Sequence, residues 1–201
     1  MFENVRGDIN RAKWDRDEFL AAGGWTKTTW LSTFRVLIAQ STWSVFAHRF
    51  AHWATLCRIP VVRQVLLVFA IIFERFIQIC NGSIIHRDAQ IGPGLVVHTP
   101  YGVFLGPTRI GANCTVGTGV LIGGGCGGVG DNVYFGPGAK VLGTCKIGNN
   151  CVVAANSLVL TDVPDNTTVM GVPARIRLPG GNVQRFRRQN FEEKDKVKKT
   201  G

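Results

Sequence analysis

One class of side chain returns every sixth residue through the second half of this chain. Aliphatic or aromatic residues stand at Ile85, Ile91, Val97 and Val103, then at Ile110, Val116 and Ile122. They continue at Val129, Phe135, Val141, Ile147, Val153 and Val159. The register slips by one residue twice, between Val103 and Ile110 and between Ile122 and Val129. A period of six fits neither the 3.6-residue helical repeat nor the two-residue strand repeat. It fits a triangular solenoid, with one short strand and one turn per six residues and three such units per coil. The recurring residue points into the prism. Four positions on, a small or medium residue helps to fill it: Ala89, Leu95, Cys114, Val120, Val133, Ala139, Cys145, Cys151, Ser157 and Val163. Glycine often follows the recurring residue, as at Gly92, Gly111, Gly117, Gly123, Gly130, Gly136 and Gly148, where it permits the corner conformation without a Cβ clash. Stacked coils then bury a column that no single repeat could bury alone.

The expected architecture is mainly β. A parallel β-helix covers residues 83–163, an α-helical region covers 1–82, and a C-terminal extension with a basic tail covers 164–201. The 25 glycines fall mostly after Asn81, which marks the same division. Before it, Asp15 to Ala22, Thr29 to Cys57 and Val61 to Cys80 carry apolar residues at three- and four-residue spacing. Gly23-Gly24 and Pro60 punctuate them, and Asn81-Gly82 is the turn into the solenoid. The uncharged run Gln64 to Phe73 is ten residues long, against about 20 needed to cross a bilayer. Burial in a packed helix is the expected fate of so short a run. A peripheral contact with the inner face of a membrane is the alternative.

Six cysteines show no metal-ligand or disulfide spacing, and no secretion signal opens the chain, so the expected compartment is the cytoplasm. Cys114, Cys145 and Cys151 fall in the small inward slot, where a thiol acts as a small hydrophobe. Cys126 lies in the second register slip and is expected to be more exposed. His48 and His52 share a helix face but lack a third ligand, so packing is their expected role and no metal is expected. The net charge of +10 suits a polyanionic ligand or an anionic surface. No motif of basic and aromatic residues accompanies it, so nucleic acid is not an expected partner.

Four segments resemble the bacterial serine acetyltransferases and their polysaccharide-modifying relatives. Met1 to Ile9 resembles the start of the short forms, and Ala47 to His52 resembles their last helices. Ile85 to Gly92 resembles the solenoid entry, and Gly171-Val172-Pro173-Ala174-Arg175 the motif after the last coil. The resemblance covers roughly Met1 to Arg177. It implies a left-handed β-helix, a homotrimer, and acetyl-CoA held in a cleft between neighbouring prisms. By position, it implies Gly123, Gly124, Gly136, Ala154, Ala155 and Arg175 as residues lining that cleft. Small residues there let pantetheine approach the backbone, and a cation at the opening holds phosphates.

Acetyl transfer to a hydroxyl needs a base for the hydroxyl proton. The solenoid offers His86 and His98, and His98, in the polar segment His98 to Gly102, is the better placed. His86 sits at a first-coil corner and is expected to be structural. Two features depart from the family. Where it carries an Asp-His pair, this chain has His98 and Thr99. Where it carries an arm with a second active-site His and an Arg, this chain has Gly123 to Gly128, glycine apart from Cys126. Those losses remove groups that would pair with the charged ends of serine. The expected acceptor is therefore a sugar hydroxyl of a polysaccharide or its precursor. Serine is the alternative, and a non-catalytic scaffold is the reading from another class. A carbonic-anhydrase-like site would need three histidines, and the solenoid has two.

Overall fold

The computed structural model describes residues 2–22 and 40–179, and side chains within 4–15 and 42–177. The expectations for the basic tail, for the Gly23-Gly24 break and for 29–39 lie outside the described residues. Three helices precede the solenoid: α1 (Phe2–Ala22), α2 (Gln40–Thr55) and α3 (Pro60–Asn81). Helix α1 starts well before the expected Asp15. Proline opens α3, where a missing N–H costs nothing. Gly82 closes it at φ 63°, donating its N–H to the Gln78 carbonyl.

The solenoid has three parallel faces. The first stacks Ile84–Ile85, Phe104–Leu105, Leu121–Ile122, Lys140–Val141 and Leu158–Val159. The second stacks Gln90–Ile91, Arg109–Ile110, Gly128–Val129 and Lys146–Ile147. The third stacks Val96–Val97, Thr115–Val116, Tyr134–Phe135, Val152–Val153 and Thr167–Met170. Arg175–Pro179 adds to it antiparallel, so the third face runs beyond residue 163. The whole is a left-handed β-helix of about five turns. Its axis is filled by Phe135, Ile110, Ile122, Val116, Val141, Val153 and their neighbours, all buried. Each such side chain contributes about 1.5–3 kcal/mol on removal from water.

The register differs from the expectation in two places. Val163, expected in the small slot, pairs with Ile147 and takes the recurring inward position. The other is in the second coil. Leu105, not Val103, pairs with Ile85 and Ile122 and points inward. Val103 is buried two residues earlier, in the slot taken elsewhere by the small residues. Inward residues are usually six apart, but Val97 and Leu105 are eight apart and Leu105 and Ile110 five. The extra length falls in the corner that carries His98. Cys126 is also corrected: it is 8% exposed, with Sγ 3.3 Å from the Cys145 carbonyl oxygen. Gly127 donates its N–H to the Cys145 carbonyl at 2.9 Å, which sets Cys126 against Cys145 in the small inward slot.

Corner glycines are needed for close approach. A Cβ on Gly111 would stand 2.5 Å from the Gly130 carbonyl carbon, though Gly111 itself has no positive φ. The left-handed turn positions are shared between other glycines, such as Gly94, Gly119 and Gly138, and Asn113, Asn132, Asn150, Asn156 and Asn166, at φ 54–56° for the asparagines. Three of these asparagines form a ladder, Asn132 donating to Asn150 and Asn150 to Asn166.

Helix α2 docks on the first coil through a buried polar cluster. Arg49 donates to the Asp8 carboxylate of α1 at 3.1 Å and to the carbonyls of Ile91 and Gly92. Asp8 also accepts the N–H groups of Gly94 at 2.7 Å and Leu95 at 3.0 Å. His48 is buried beside this cluster and stacks on His52 with centroids 6.4 Å apart. Burial, and next the Arg49 guanidinium, pushes the His48 imidazole from 6.5 down to about 4.

Between those two values the unfolded chain binds a proton that the folded protein refuses, so stability falls as pH falls through that window. Acidification from pH 7 to 4.5 is expected to remove about 2–3 kcal/mol through this site. His48→Gln should flatten the slope of thermal midpoint against pH. An unchanged slope would assign the acid sensitivity to other groups.

Candidate active site

Each face meets the next at an edge, and the expected site residues other than Arg175 lie on two of the three edges. The third edge stacks His98, Gly117, Gly136 and Ala154. Their N–H groups bond the carbonyls of Val116, Phe135, Val153 and Val169 at 2.8–3.0 Å. His98 and Gly136 are two coils apart, roughly 10 Å at the usual strand spacing. Above His98 this edge carries almost no side chain. A Cβ on Gly136 would lie 2.6 Å from the Ala155 nitrogen, so coil stacking itself excludes anything larger.

The first edge stacks His86, Gly106, Gly123 and Leu142, whose ladder bonds are 2.8–3.0 Å. Gly123 and Gly124 therefore lie a full face away from His98 within one chain. Arg175 is exposed and pairs with Met170 at the end of the third face. The structure thus brings together His98, Gly136, Ala154 and Ala155. It leaves Gly123 and Gly124 on a separate edge.

The structure also supplies a residue that the sequence reading did not single out. Asp15 of α1 is 6% exposed, and its Oδ2 stands 3.3 Å from His98 Nε2. Asp8 and Asp15 are seven residues apart on one helix, and so lie on one helix face. Asp8 anchors α1 to the first coil, which delivers Asp15 to the solenoid edge. The missed signal was this i, i+7 pair, hidden because the helix was expected to begin only at Asp15. Val5, Ile9 and Ala12 of α1 face Trp43 and Phe46 of α2 and Val96 of the solenoid across an apolar cavity of about 410 Å³.

His86 is engaged locally. Its Nδ1 accepts the Asp88 N–H at 3.2 Å and lies 3.6 Å from the Asp88 carboxylate. Thr99 is exposed in the corner next to His98. An imidazole that is 42% exposed and backed by a buried carboxylate can accept a proton from a bound hydroxyl and later return it.

Residues 128–161 match the profile of the bacterial transferase hexapeptide family (six repeats). The serine acetyltransferase of Synechococcus elongatus is 36% identical over 141 residues, covering 66% of this chain and 55% of that protein. The serine acetyltransferase of Staphylococcus aureus is 37% identical over 150 residues, covering 69% of this chain and 70% of that one. The chain thus spans little more than half the length of the cyanobacterial relative. Among solved structures, Brucella abortus serine acetyltransferase in complex with coenzyme A superposes with a TM-score of 0.69 at 29% identity. That match covers 90% of this chain and 68% of the Brucella chain.

Proposed function

Because this chain belongs to the serine acetyltransferase family of hexapeptide-repeat proteins, we propose that it moves an acetyl group from acetyl-CoA to a hydroxyl, with serine as the acceptor. The observation that carries the chemistry is the contact between buried Asp15 and His98 at the foot of a bare glycine-alanine edge. Asp15 engages Nε2, so Nδ1 is the atom through which the ring acts. It takes the proton as the hydroxyl oxygen bonds to the thioester carbon, and Asp15 steadies the imidazolium that results. Collapse of the tetrahedral adduct breaks the C–S bond, and the proton passes to the departing thiolate to give free CoA. Gly136 and Ala154 admit the pantetheine arm, and the exposed guanidinium of Arg175 suits the nucleotide phosphates.

A neighbouring copy completes the groove in this reading. One prism holds His98 on its third edge and Gly123 and Gly124 on its first. Both edges line one cleft only if the third edge of one copy meets the first edge of the next. Such a contact joins unlike surfaces and closes into a ring, here of three. The six cysteines are free, which agrees with a reducing cytoplasm.

Serine displaces the sugar hydroxyl as the first choice because the relatives and the solved structures are serine acetyltransferases. The sugar stands as the second reading, favoured by His98 in place of the family's Asp and by the glycine arm Gly123 to Gly128. The test is CoA release by protein first shown by light scattering to be trimeric. Turnover with serine above that with free sugars and glycan fragments is expected. Faster release with sugars would reverse the choice of acceptor, and no CoA release or binding with any acceptor would leave only the scaffold.

A further inference from the structure

The apolar run expected to pack inside the protein does the opposite. Val61, Val65, Val68, Ile72, Phe76 and Ile79 of α3 recur at three- and four-residue spacing, so they form one stripe, and all are exposed. Val65 is 65% exposed, Ile72 63% and Ile79 85%. The opposite side of the helix does the packing, with Ala70, Ile77 and Asn81 buried. Leu56 and Ile59, just before the helix, are exposed as well and extend the stripe. Twenty-two residues of helix make a ridge of about 33 Å. A continuous apolar surface of this kind marks a binding face.

The charges around the ridge have one sign. Arg58, Arg63 and Arg75 are exposed on or beside the helix. The one carboxylate of α3, Glu74, instead receives a 2.7 Å hydrogen bond from Arg87 of the solenoid. No described helix is long and apolar enough to cross a membrane. We propose that α3 lies flat on an anionic lipid surface, its Val/Ile/Phe stripe in the acyl boundary and Arg58, Arg63 and Arg75 on the headgroups. A second copy packed stripe to stripe would bring the two arginine sets together with no exposed acid on either helix to pair them. Anionic headgroups supply the missing counter-charge. This placement is independent of the acceptor and of the acetyl-transfer reading.

The test is co-sedimentation of the full chain with vesicles of phosphatidylglycerol and phosphatidylcholine, against vesicles of phosphatidylcholine alone. Binding is expected only with the anionic lipid and should weaken with salt. The variant V65D/I72D should bind those vesicles at least about tenfold more weakly. Both positions are exposed, so its circular dichroism and its CoA release should match the wild type. Equal binding to both vesicle types, or none to either, overturns the proposal. Undiminished binding by V65D/I72D overturns it and assigns the attraction to basic residues elsewhere. A change of oligomeric mass in the variant, with no vesicle binding by the wild type, assigns the stripe to a second copy.

Discussion

His98→Ala is expected to lower the rate of acetyl transfer by about a hundredfold to ten-thousandfold, the range spanned by loss of a positioned general base. The fold should not suffer, because the side chain is 42% exposed and its one described ion-pair contact is the 3.3 Å approach to Asp15. The measurement is single-turnover CoA release at saturating acetyl-CoA, with the thermal midpoint recorded alongside. A rate within a fewfold of wild type would remove His98 from the chemistry and return the base to His86 or to water. The size of the effect also tests the departure from the family. An imidazole one residue along an extended backbone would normally turn to the other face. Here the corner is longer than its neighbours by the extra spacing between Val97 and Leu105, and α1 brings a carboxylate to meet the ring.

The second large effect is on stability. Asp8→Ala should cost about 3–5 kcal/mol, the usual result of removing one partner from a buried ion pair. It strands the Arg49 guanidinium, 7% exposed, together with the N–H groups of Gly94 and Leu95. Burial raises the Asp8 carboxyl above its ordinary value even though Arg49 and the two N–H groups pull it down. The pair is therefore costly to assemble and costlier to break from one side. For a domain of this size the thermal midpoint should fall by roughly 10 °C. The double variant Asp8→Ala/Arg49→Met should recover part of that loss, because no buried charge is then left alone. A midpoint unchanged in Asp8→Ala would show that water already serves these groups. Helix α1 carries both Asp8 and Asp15, so Asp8→Ala should also loosen the carboxylate behind His98 and lower activity.

Legibility differed sharply between the two halves. In the solenoid, Ile110, Val116, Ile122 and Val129 were placed correctly by spacing alone, because each coil repeats the same local choice and tertiary packing agrees with it. Val103 was misplaced because a six-residue count has no means of seeing an insertion compensated by a deletion a few residues later. Cys126 was misplaced because a glycine run carries no periodic pattern to show which of its residues faces inward. In the helical half, spacing located α3 within a residue or two of Pro60–Asn81 but misjudged its apolar stripe. Hydrophobicity predicts burial only where a partner surface exists, and α3 offers its underside to the protein.

The chain's sequence alone determined the prism, its parallel coils and the corner positions of His86 and His98, since a hexad repeat is a local pattern that repeats itself. Tertiary structure decided what stands behind His98, which edge each glycine occupies and which side of α3 is left uncovered. Those outcomes join residues as distant as Asp15 and His98. Their meeting depends on how a helix docks against a coil, and no local periodicity encodes it.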